Sequence, residues 1–261
     1  MKIIKGDIIA RKIIKGLTDE VKTFPSDPML VVILIGEDER SRKYIQIKQK
    51  IAFETGVNFK IYEFSENIDQ SNIIYLIDEL NKNTNVNGII VQMPIPEKFD
   101  RLKIVWAIDP KKDIDGFRMH LFRPPAPMAI VELLTINQIP VFHKKFIIVG
   151  FGFLIGRPLA TLLKKQGAFV NVAEKNDRDY RSKILEADVV VGSSGSEKFI
   201  KKNMVNENQI VIDASGVDTD YENIKKFVRA IVPPIGGIGP LTVANLFRNL
   251  VKAHKLQSEK K

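Results

Sequence analysis

The fold of this chain is decided by residues 145–158, KFIIVGFGFLIGRP, in which a short apolar run ends at closely spaced glycines. Gly150 permits a tight turn, and Gly152 lets a phosphate approach the backbone. Gly156 allows close packing at a helix start, where free backbone amides favour a phosphate. The stretch therefore predicts the strand, loop and helix of a dinucleotide-binding domain. Its spacing is one residue longer than the common fingerprint, so a glycine-rich turn that binds nothing is the alternative.

Outward from this stretch, short Val- and Ile-rich runs alternate with amphipathic segments. This alternation predicts an α/β protein in which helices cover parallel sheets. The predicted strands are Met29–Gly36, Asn58–Phe64, Gly88–Met93, Lys145–Gly150, Ala168–Ala173, Asp188–Gly192, Gln209–Asp213 and Ala230–Pro233. The predicted helices are Asp7–Lys22, Ser41–Thr55, Gln70–Asn83, Met128–Asn137, Gly156–Gln166, Arg181–Glu186 and Pro240–His254.

Two proline-rich stretches predict domain boundaries. The first is Phe122–Pro127, from which we expect regular structure to be excluded because proline has no backbone donor. The second is Pro233–Pro240, after which one final helix is free to dock elsewhere.

The composition excludes several kinds of site. The 261 residues contain no cysteine, which excludes disulfides, thiolate nucleophiles and cysteine-bound metals, and three scattered histidines do not suggest a metal site. The net charge of +9 suits an anionic partner, either a nucleic acid or a small polyanion, without choosing between them. Because no apolar run is long enough to cross a bilayer, we expect a soluble, intracellular protein with no membrane partner.

Tyr44 and Lys48 lie four residues apart in the predicted helix Ser41–Thr55, and so on one face of it. A lysine beside the apolar stripe of a helix can be desolvated, which favours the neutral amine and prepares it for proton transfer. The alternative is a lysine whose ammonium group extends to water. Ser41 is predicted to cap this helix.

Two further polar side chains, one at a predicted strand end and one in a downstream loop, are candidates for ligand binding. Gln92 is at the carboxyl end of Gly88–Met93, the end at which open α/β sheets bind ligands. Asp115, which precedes Gly116, is suited to hold a ring that carries adjacent N–H donors. The alternative for this loop is an Asx-turn that only stabilises the backbone.

Glu174 ends the strand that follows the glycine loop. Its carboxylate can accept hydrogen bonds from both ribose hydroxyls of NAD and would repel the 2′-phosphate of NADP. The cations Lys175, Arg178 and Arg181 favour NADP if they face the ribose. Residue chemistry therefore leaves the choice between the two nucleotides open.

Taken in order, these stretches resemble the bifunctional methylenetetrahydrofolate dehydrogenase/methenyltetrahydrofolate cyclohydrolase family over nearly the whole chain. The first matches the family pattern G-x-D-x-x-S-x-x-Y-x-x-x-K, and the others match its V-Q-L-P-L-P, K-D-V-D-G-F and G-G-V-G-P-M-T elements. The matching stretches are Gly36–Lys48, Gly88–Pro96, Pro110–Phe117 and Pro233–Val243.

The resemblance implies a two-domain fold with the substrate in an interdomain cleft. Residues 1–121, completed by a helix at 240–261, would form a folate-binding catalytic domain, and residues 122–239 a Rossmann-like NAD(P)-binding domain. The enzyme would oxidise 5,10-methylenetetrahydrofolate with NADP, or with NAD, and hydrolyse the product to 10-formyltetrahydrofolate. A cytoplasmic homodimer that binds tetrahydrofolate derivatives and no nucleic acid is expected.

The resemblance also implies roles for particular residues, with Lys48 as the central proton-handling group and no metal ligand. The catalytic residues would be Lys48, Tyr44, Gln92 and Asp115. Substrate would contact Tyr44, Gln92, Asp115, Gly237 and Pro240. The cofactor would contact Gly150, Gly152, Phe153, Gly156, Arg157, Glu174 and Lys175.

The chain departs from the family pattern at three places. The segment between Phe117 and Pro124 is shorter than in familiar members, the glycine loop lacks the usual Arg and Ser, and Ala173-Glu174-Lys175 replaces the usual C-H-[SR]. These departures bear on cofactor choice and on the balance of the two activities. The alternative functions are another two-domain dehydrogenase, of amino-acid or shikimate type, and a non-catalytic nucleotide- or nucleic-acid-binding protein.

Overall fold

The structure is a computed structural model that describes residues 2–174 and 176–259. The chain forms two compact units. The six-stranded unit comprises the chain up to Arg11 together with Pro124–Asn245. The three-stranded unit comprises Lys12–Arg123 together with the chain from Leu246 onward. None of the helices in the described ranges is both long and apolar enough to span a membrane.

The sheet of the three-stranded unit is parallel, with the strand order β3–β2–β4. Its central strand, β2, is an uninterrupted aliphatic run that is buried after its first residue, as expected of a strand covered on both faces. The core between the sheet and helix α3 includes the fully buried Ile33, Ile77 and Val91. The elements are β2 (Met29–Ile35), α2 (Glu39–Thr55), β3 (Asn58–Phe64), α3 (Gln70–Lys82), β4 (Gly88–Val91) and α4 (Arg101–Trp106).

The six-stranded unit also has a parallel sheet, in the order β1–β9–β8–β7–β5–β6. Strand β5 lies between β6 and β7, so the chain passes from β5 to β6 on one side and then returns to β7 on the other side. The strand order reverses at β5, and sheets of this type bind ligands at the carboxyl ends of the strands at such a reversal. The strands are β1 (Lys2–Ile3), β5 (Lys145–Val149), β6 (Phe169–Ala173), β7 (Val189–Gly192), β8 (Ile210–Asp213) and β9 (Ala230–Val232). The helices are α5 (Pro125–Ile136), α6 (Gly156–Lys165), α7 (Tyr180–Leu185), a 3-10 turn (Lys202–Met204) and α8 (Tyr221–Ile224).

Two helices contribute residues to both units: α1 (Asp7–Val21) and α9 (Ile238–Ser258). The predicted α/β class is confirmed, and every predicted strand and helix is present with small shifts at its ends. The elements that the sequence did not predict are short, such as β1 with two residues and α8 with four. Elements of that length carry too few residues to display a hydrophobic period.

The expectation that residues 122–127 lack regular structure is wrong, because α5 begins at Pro125. The first residues of a helix have no intrahelical acceptor for their N–H groups, so proline is tolerated there. Pro125 and Pro127 occupy this first turn, and the N–H of Met128 makes the first helical bond, to the carbonyl of Pro124 at 3.0 Å. The prolines therefore set the start of a helix.

Candidate functional site

Helix α2 begins directly after β2 and is capped by Asp38, whose carboxylate accepts the backbone N–H of Ser41 at 2.7 Å. The prediction that Ser41 itself is the cap is therefore wrong. Ser41 lies inside the first turn and is buried, and its hydroxyl donates to the carbonyl of Met93 at 3.1 Å. This bond ties the start of α2 to the turn that follows β4.

Lys48, from α2, and Gln92, directly after β4, form a buried pair. The two residues are 9% and 8% exposed, and Nζ of Lys48 donates to Oε1 of Gln92 at 2.8 Å. Nε2 of Gln92 donates to the carbonyl of Met93 at 2.8 Å, which directs the amide oxygen toward the lysine. The geometry therefore excludes the alternative in which the amine of Lys48 extends to water.

Burial is the main influence on the charge of Lys48. It lowers the pKa of the amine, and the carboxyl of Asp115 acts in the opposite direction. The Gln92 oxygen is a neutral acceptor, so it satisfies a donor of Lys48 without supplying a full negative charge. The site therefore makes the neutral amine more accessible than it is in water.

Asp115 is half-buried, and its loop brings its carboxyl into electrostatic contact with Lys48. Burial raises its pKa to about 6; the charge of Lys48 opposes this rise and that of Asp113 adds to it. The structure thus brings Lys48, Gln92 and Asp115 together from three separate segments of the three-stranded unit.

The loop around Asp115 also contains the backbone turn that we gave as the alternative reading, but Asp113 forms it. The Asp113 carboxylate is buried and accepts the N–H of Arg118 at 3.3 Å. Gly116 has a φ of 64°, and a Cβ there would lie 2.7 Å from the carbonyl carbon of Arg123. A tight turn that only glycine fits therefore follows Asp115.

Tyr44 lies one turn before Lys48 on α2 and is 45% exposed. Tyr44 is therefore partly open to solvent on the helix that also carries the buried Lys48. Its contact with a folate stays a prediction.

Lys112 is a buried lysine near this site whose structural role the sequence reasoning missed. Its buried Nζ donates to the carbonyls of Leu80, Asn81 and Asn83, at 2.8, 2.8 and 2.7 Å, at the end of α3. These are carbonyls that a helix end leaves without intrahelical partners. In the sequence, Lys112 is the lysine of the K-D-V-D-G-F element, three residues before Asp115, but that match assigned it no role.

In the six-stranded unit, the glycine loop is a tight backbone turn that leads into α6. Gly150 has a φ of 91°, and a Cβ there would lie 2.5 Å from Cα of Ser194, so no side chain fits. A Cβ at Gly156 would lie 2.3 Å from the carbonyl oxygen of Gly150, which explains the close loop and helix start. A Cβ at Gly152 would meet nothing within 4 Å, so the backbone there is open to a ligand.

The other predicted cofactor residues lie around this loop or beyond it. Arg157 donates from Nε to the carbonyl of Phe151 at 3.2 Å and lies over that ring at 5.7 Å, so it braces the loop. Phe153 is half-buried. Glu174 is exposed just after β6, where its N–H donates to the Asp177 carboxylate at 3.2 Å. Lys175 lies outside the described residues.

A buried carboxylate that the sequence reasoning missed, that of Asp218, holds the residues that pack against the glycine loop. Asp218 accepts the backbone N–H groups of Ser194 and Ser196, at 2.6 and 2.7 Å, and the Ser194 hydroxyl at 3.1 Å. Burial raises its pKa, and these donors oppose the rise. Because Ser194 packs on Gly150, Asp218 supports the glycine loop from behind. Its partners lie more than twenty residues earlier, so no local pattern could have shown them.

The predicted substrate residues Gly237 and Pro240 lie at the start of α9. A Cβ at Gly237 would lie 2.1 Å from the carbonyl oxygen of Pro233, and a Cβ at Gly6 would lie 2.1 Å from the carbonyl oxygen of Gly237. This glycine is therefore required by a close crossing of backbones. Pro240 is half-buried in the first turn of α9. Across the described residues, no group of His, Asp or Glu is arranged to hold a metal ion.

Comparison with known proteins gives two family matches and many full-length relatives. Residues 4–115 match the tetrahydrofolate dehydrogenase/cyclohydrolase catalytic domain, and residues 124–258 match the NAD(P)-binding domain of the same family. The bifunctional protein FolD of Thermodesulfovibrio yellowstonii is 34% identical over 278 residues, covering 98% of this chain and 97% of the relative.

Solved structures agree with the sequence matches. The bifunctional FolD methylenetetrahydrofolate dehydrogenase/cyclohydrolase of Campylobacter jejuni is 31% identical with a TM-score of 0.91, over 98% of this chain and 99% of that one. The Trypanosoma brucei dehydrogenase-cyclohydrolase, solved with NADP and an inhibitor, is 26% identical with a TM-score of 0.92, over 98% of both chains.

Proposed function

Because the chain belongs to the tetrahydrofolate dehydrogenase/cyclohydrolase family, we propose that it performs both reactions of that family with Lys48 as the proton-handling group. It oxidises 5,10-methylenetetrahydrofolate with NADP and hydrolyses the resulting 5,10-methenyltetrahydrofolate to 10-formyltetrahydrofolate. Family membership favours this function over the amino-acid or shikimate dehydrogenase and the non-catalytic binding protein. The single observation that carries the role of Lys48 is its buried amine, held 2.8 Å from Gln92.

The charges of the reaction explain why a buried lysine is suitable. Loss of a hydride from the one-carbon bridge leaves a delocalised amidinium cation on the folate. A permanently charged ammonium group beside this cation would repel it, whereas a neutral amine would not. The burial of Lys48 therefore serves the oxidation by favouring the neutral form.

The same amine suits the hydrolysis. As water adds its oxygen to the cationic carbon, Lys48 accepts the proton that the water loses. The protonated lysine then returns that proton to the folate nitrogen as the bond from this nitrogen to the one-carbon unit breaks. The hydroxyl group left by the water loses its remaining proton to solvent in the same step, which forms the carbonyl of the formyl group. Gln92 fixes the amine, and the Asp115 carboxylate accepts hydrogen bonds from the N–H donors of the pterin ring.

The six-stranded unit fits a dinucleotide because the backbone at Gly152 is open, beside a helix start and at the end of β5. NADP is the cofactor, and NAD is the second candidate. When bound, it supplies the nicotinamide that accepts the hydride. We propose Gly150, Gly152, Phe153, Gly156 and Arg157 as the phosphate-side contacts, with Glu174 and Lys175 at the ribose.

We further propose which segments of the chain bind the folate and which bind the cofactor. Residues 1–121, with the segment 240–261, bind folate, and residues 122–239 bind the cofactor. Tyr44, Gly237 and Pro240 contact the substrate. The most direct test of the whole function is an absorbance assay with methylenetetrahydrofolate and each oxidised nicotinamide in turn; no reduction of either nucleotide would overturn it.

We also propose that the protein is a cytoplasmic homodimer. Strand β3 is an edge of its sheet, so one side of its backbone has no partner strand among the residues that the structure describes. Beside it along the chain, α2 exposes the large apolar side chains Ile47 and Phe53, the latter 90% exposed. Edge strands and apolar patches of this kind are usually covered, and a second copy would cover both. We propose the cytoplasm as its location because folates and dinucleotides are polyanions that do not cross a bilayer, so the enzyme must lie in the compartment that holds them.

Glu174→Ala is expected to raise the preference for NADP over NAD, measured as the ratio of kcat/KM values, by about tenfold, which equals about 1.4 kcal/mol. The lost carboxylate would bind the ribose hydroxyls of NAD and repel the 2′-phosphate of NADP. The control is Glu186→Ala, another exposed carboxylate in the same unit, which should leave the ratio unchanged. An unaltered ratio in Glu174→Ala would show that this carboxylate does not face the ribose.

The kcat/KM for the folate is expected to fall about tenfold per pH unit below about pH 6, because the pKa of Asp115 is about 6 and only its ionised form accepts pterin hydrogen bonds. The free energy of unfolding changes with pH in the opposite direction to the activity. A raised pKa means that the folded state favours protonated Asp115, so the free energy of unfolding decreases as the pH rises from about 4 through 6. Asp115→Asn should remove both effects in pH profiles of activity and of urea unfolding; an acid limb that survives this substitution belongs to another group.

A further inference from the structure

One amide side chain of helix α9, that of Asn249, bonds to the backbone on both sides of Asp115. Nδ2 of Asn249 donates to the carbonyl of Ile114 at 2.8 Å and to the carbonyl of Arg123 at 2.9 Å. All of these residues belong to the three-stranded unit. One NH₂ group thus uses both of its donors on the backbone of a single loop.

The two carbonyls lie near the two ends of the loop 114–123. The ends are close together, because a Cβ at Gly116 would lie 2.7 Å from the carbonyl carbon of Arg123. Asn249 therefore closes the base of the loop as a clamp. This loop is the segment that the sequence showed to be shorter than in familiar family members, so it has little length in which to absorb a shift.

The carbonyl of Ile114 belongs to the peptide unit whose nitrogen is that of Asp115. Upstream, the chain is fixed because the N–H of Ile89 donates to the carbonyl of Lys112 at 2.9 Å. Downstream, the N–H of Gly116 donates to the carbonyl of Asp113 at 3.0 Å. The bond from Asn249 fixes the peptide plane between these anchors, and a peptide plane is rigid, so it determines where the Cα of Asp115 lies.

We infer that Asn249 is a positioning residue for folate binding, which acts by holding the backbone of Asp115. The inference rests on the proposed function, since it takes Asp115 as the group that binds the pterin. Asn249 acts through the backbone of Asp115 and not by contacting the substrate. Its loss should therefore act on folate affinity and leave the binding of the dinucleotide unchanged.

The test is Asn249→Asp, which keeps the shape of the side chain but replaces both donors with an acceptor facing two carbonyl oxygens. We expect the KM for methylenetetrahydrofolate to rise about tenfold, since two hydrogen bonds of modest net value are lost. The kcat and the KM for NADP should stay within about twofold of the wild-type values. The acid limb assigned to Asp115 should shift as well. Asn249→Leu, which lacks the added charge, provides a second variant if Asn249→Asp does not fold.

The matched control is Lys252→Met, one turn further along α9. Nζ of Lys252 donates to the carbonyl of Leu121 at 2.9 Å, so it braces the same loop away from Asp115. We expect it to leave the KM for the folate within about twofold. An equal rise in both variants would indicate general loosening of the loop and overturn the inference, as would a normal folate KM in a folded Asn249 variant.

A wild-type protein without folate turnover would refute the proposed function separately. The positioning role is then measured by hydrogen exchange in the full chain. The amide of Gly116 should exchange at least tenfold faster in Asn249→Leu than in Lys252→Met. Equal rates in the two variants would overturn the role.

Discussion

Lys48→Met is expected to lower cyclohydrolase turnover by about 10²–10⁴-fold, the usual contribution of a general acid or base, while the protein stays folded and binds NADP normally. Methionine fills similar space but can neither accept nor return the proton of the added water. The buried oxygen of Gln92 loses its donor, which should cost about 1–3 kcal/mol of stability. The measurements are the decay of methenyltetrahydrofolate absorbance, the melting temperature and NADP affinity.

The matched control for this substitution is Gln92→Leu. It removes the acceptor of the Lys48 amine but leaves the amine in place, so the turnover should fall less than in Lys48→Met. Retention of near wild-type hydrolysis by Lys48→Met would remove this lysine from the mechanism. Loss of NADP affinity or of the folded state would show that the substitution acts on structure instead.

Lys112→Met is expected to affect stability more than activity, in contrast to Lys48→Met. The free energy of unfolding should decrease by about 3 kcal/mol, with little change in the turnover of the molecules that remain folded. The Nζ of Lys112 serves three carbonyls at the end of α3, and bonds to a charged donor are among the stronger ones. Burial lowers the pKa of this amine, so part of the gain is offset by the cost of desolvating it. The quantity is measured by urea unfolding at pH 7 and saturating NADP, with turnover per folded molecule measured in parallel.

Lys111→Met is the control, because its side chain is exposed one residue away. We expect its free energy of unfolding to stay within about 0.5 kcal/mol of the wild type, as at most surface positions. If Lys112→Met is as stable as Lys111→Met, then water or another donor satisfies the three carbonyls and Lys112 is not a structural anchor.

The glycine loop shows how much of the fold is predictable from local sequence. The apolar run of β5 must be buried on both faces, and Gly150 and Gly156 are positions where any side chain would meet backbone atoms. Such constraints act between residues that are near in the chain. They are therefore visible as spacing and composition, as was the aliphatic run of β2.

The Lys48 site shows where local reasoning ends. The same amphipathic helix was compatible with a buried amine and with one in water. Only the burial of Lys48 beside Gln92 and Asp115, which come from other segments, selects between them. No local pattern predicted the contacts of Lys112, Asp218 or Asn249, since each acts on backbone groups more than twenty residues away.

The sequence by itself determined the order of strands and helices, the glycine turns, and a family likeness carried by Lys48, Gln92 and Asp115. Only the tertiary structure decided which lysine is a buried amine beside a neutral acceptor, which is a helix anchor, and which aspartate forms the backbone turn. The reason is that chain geometry is set by neighbouring residues, whereas burial and charge depend on every segment that packs around a group.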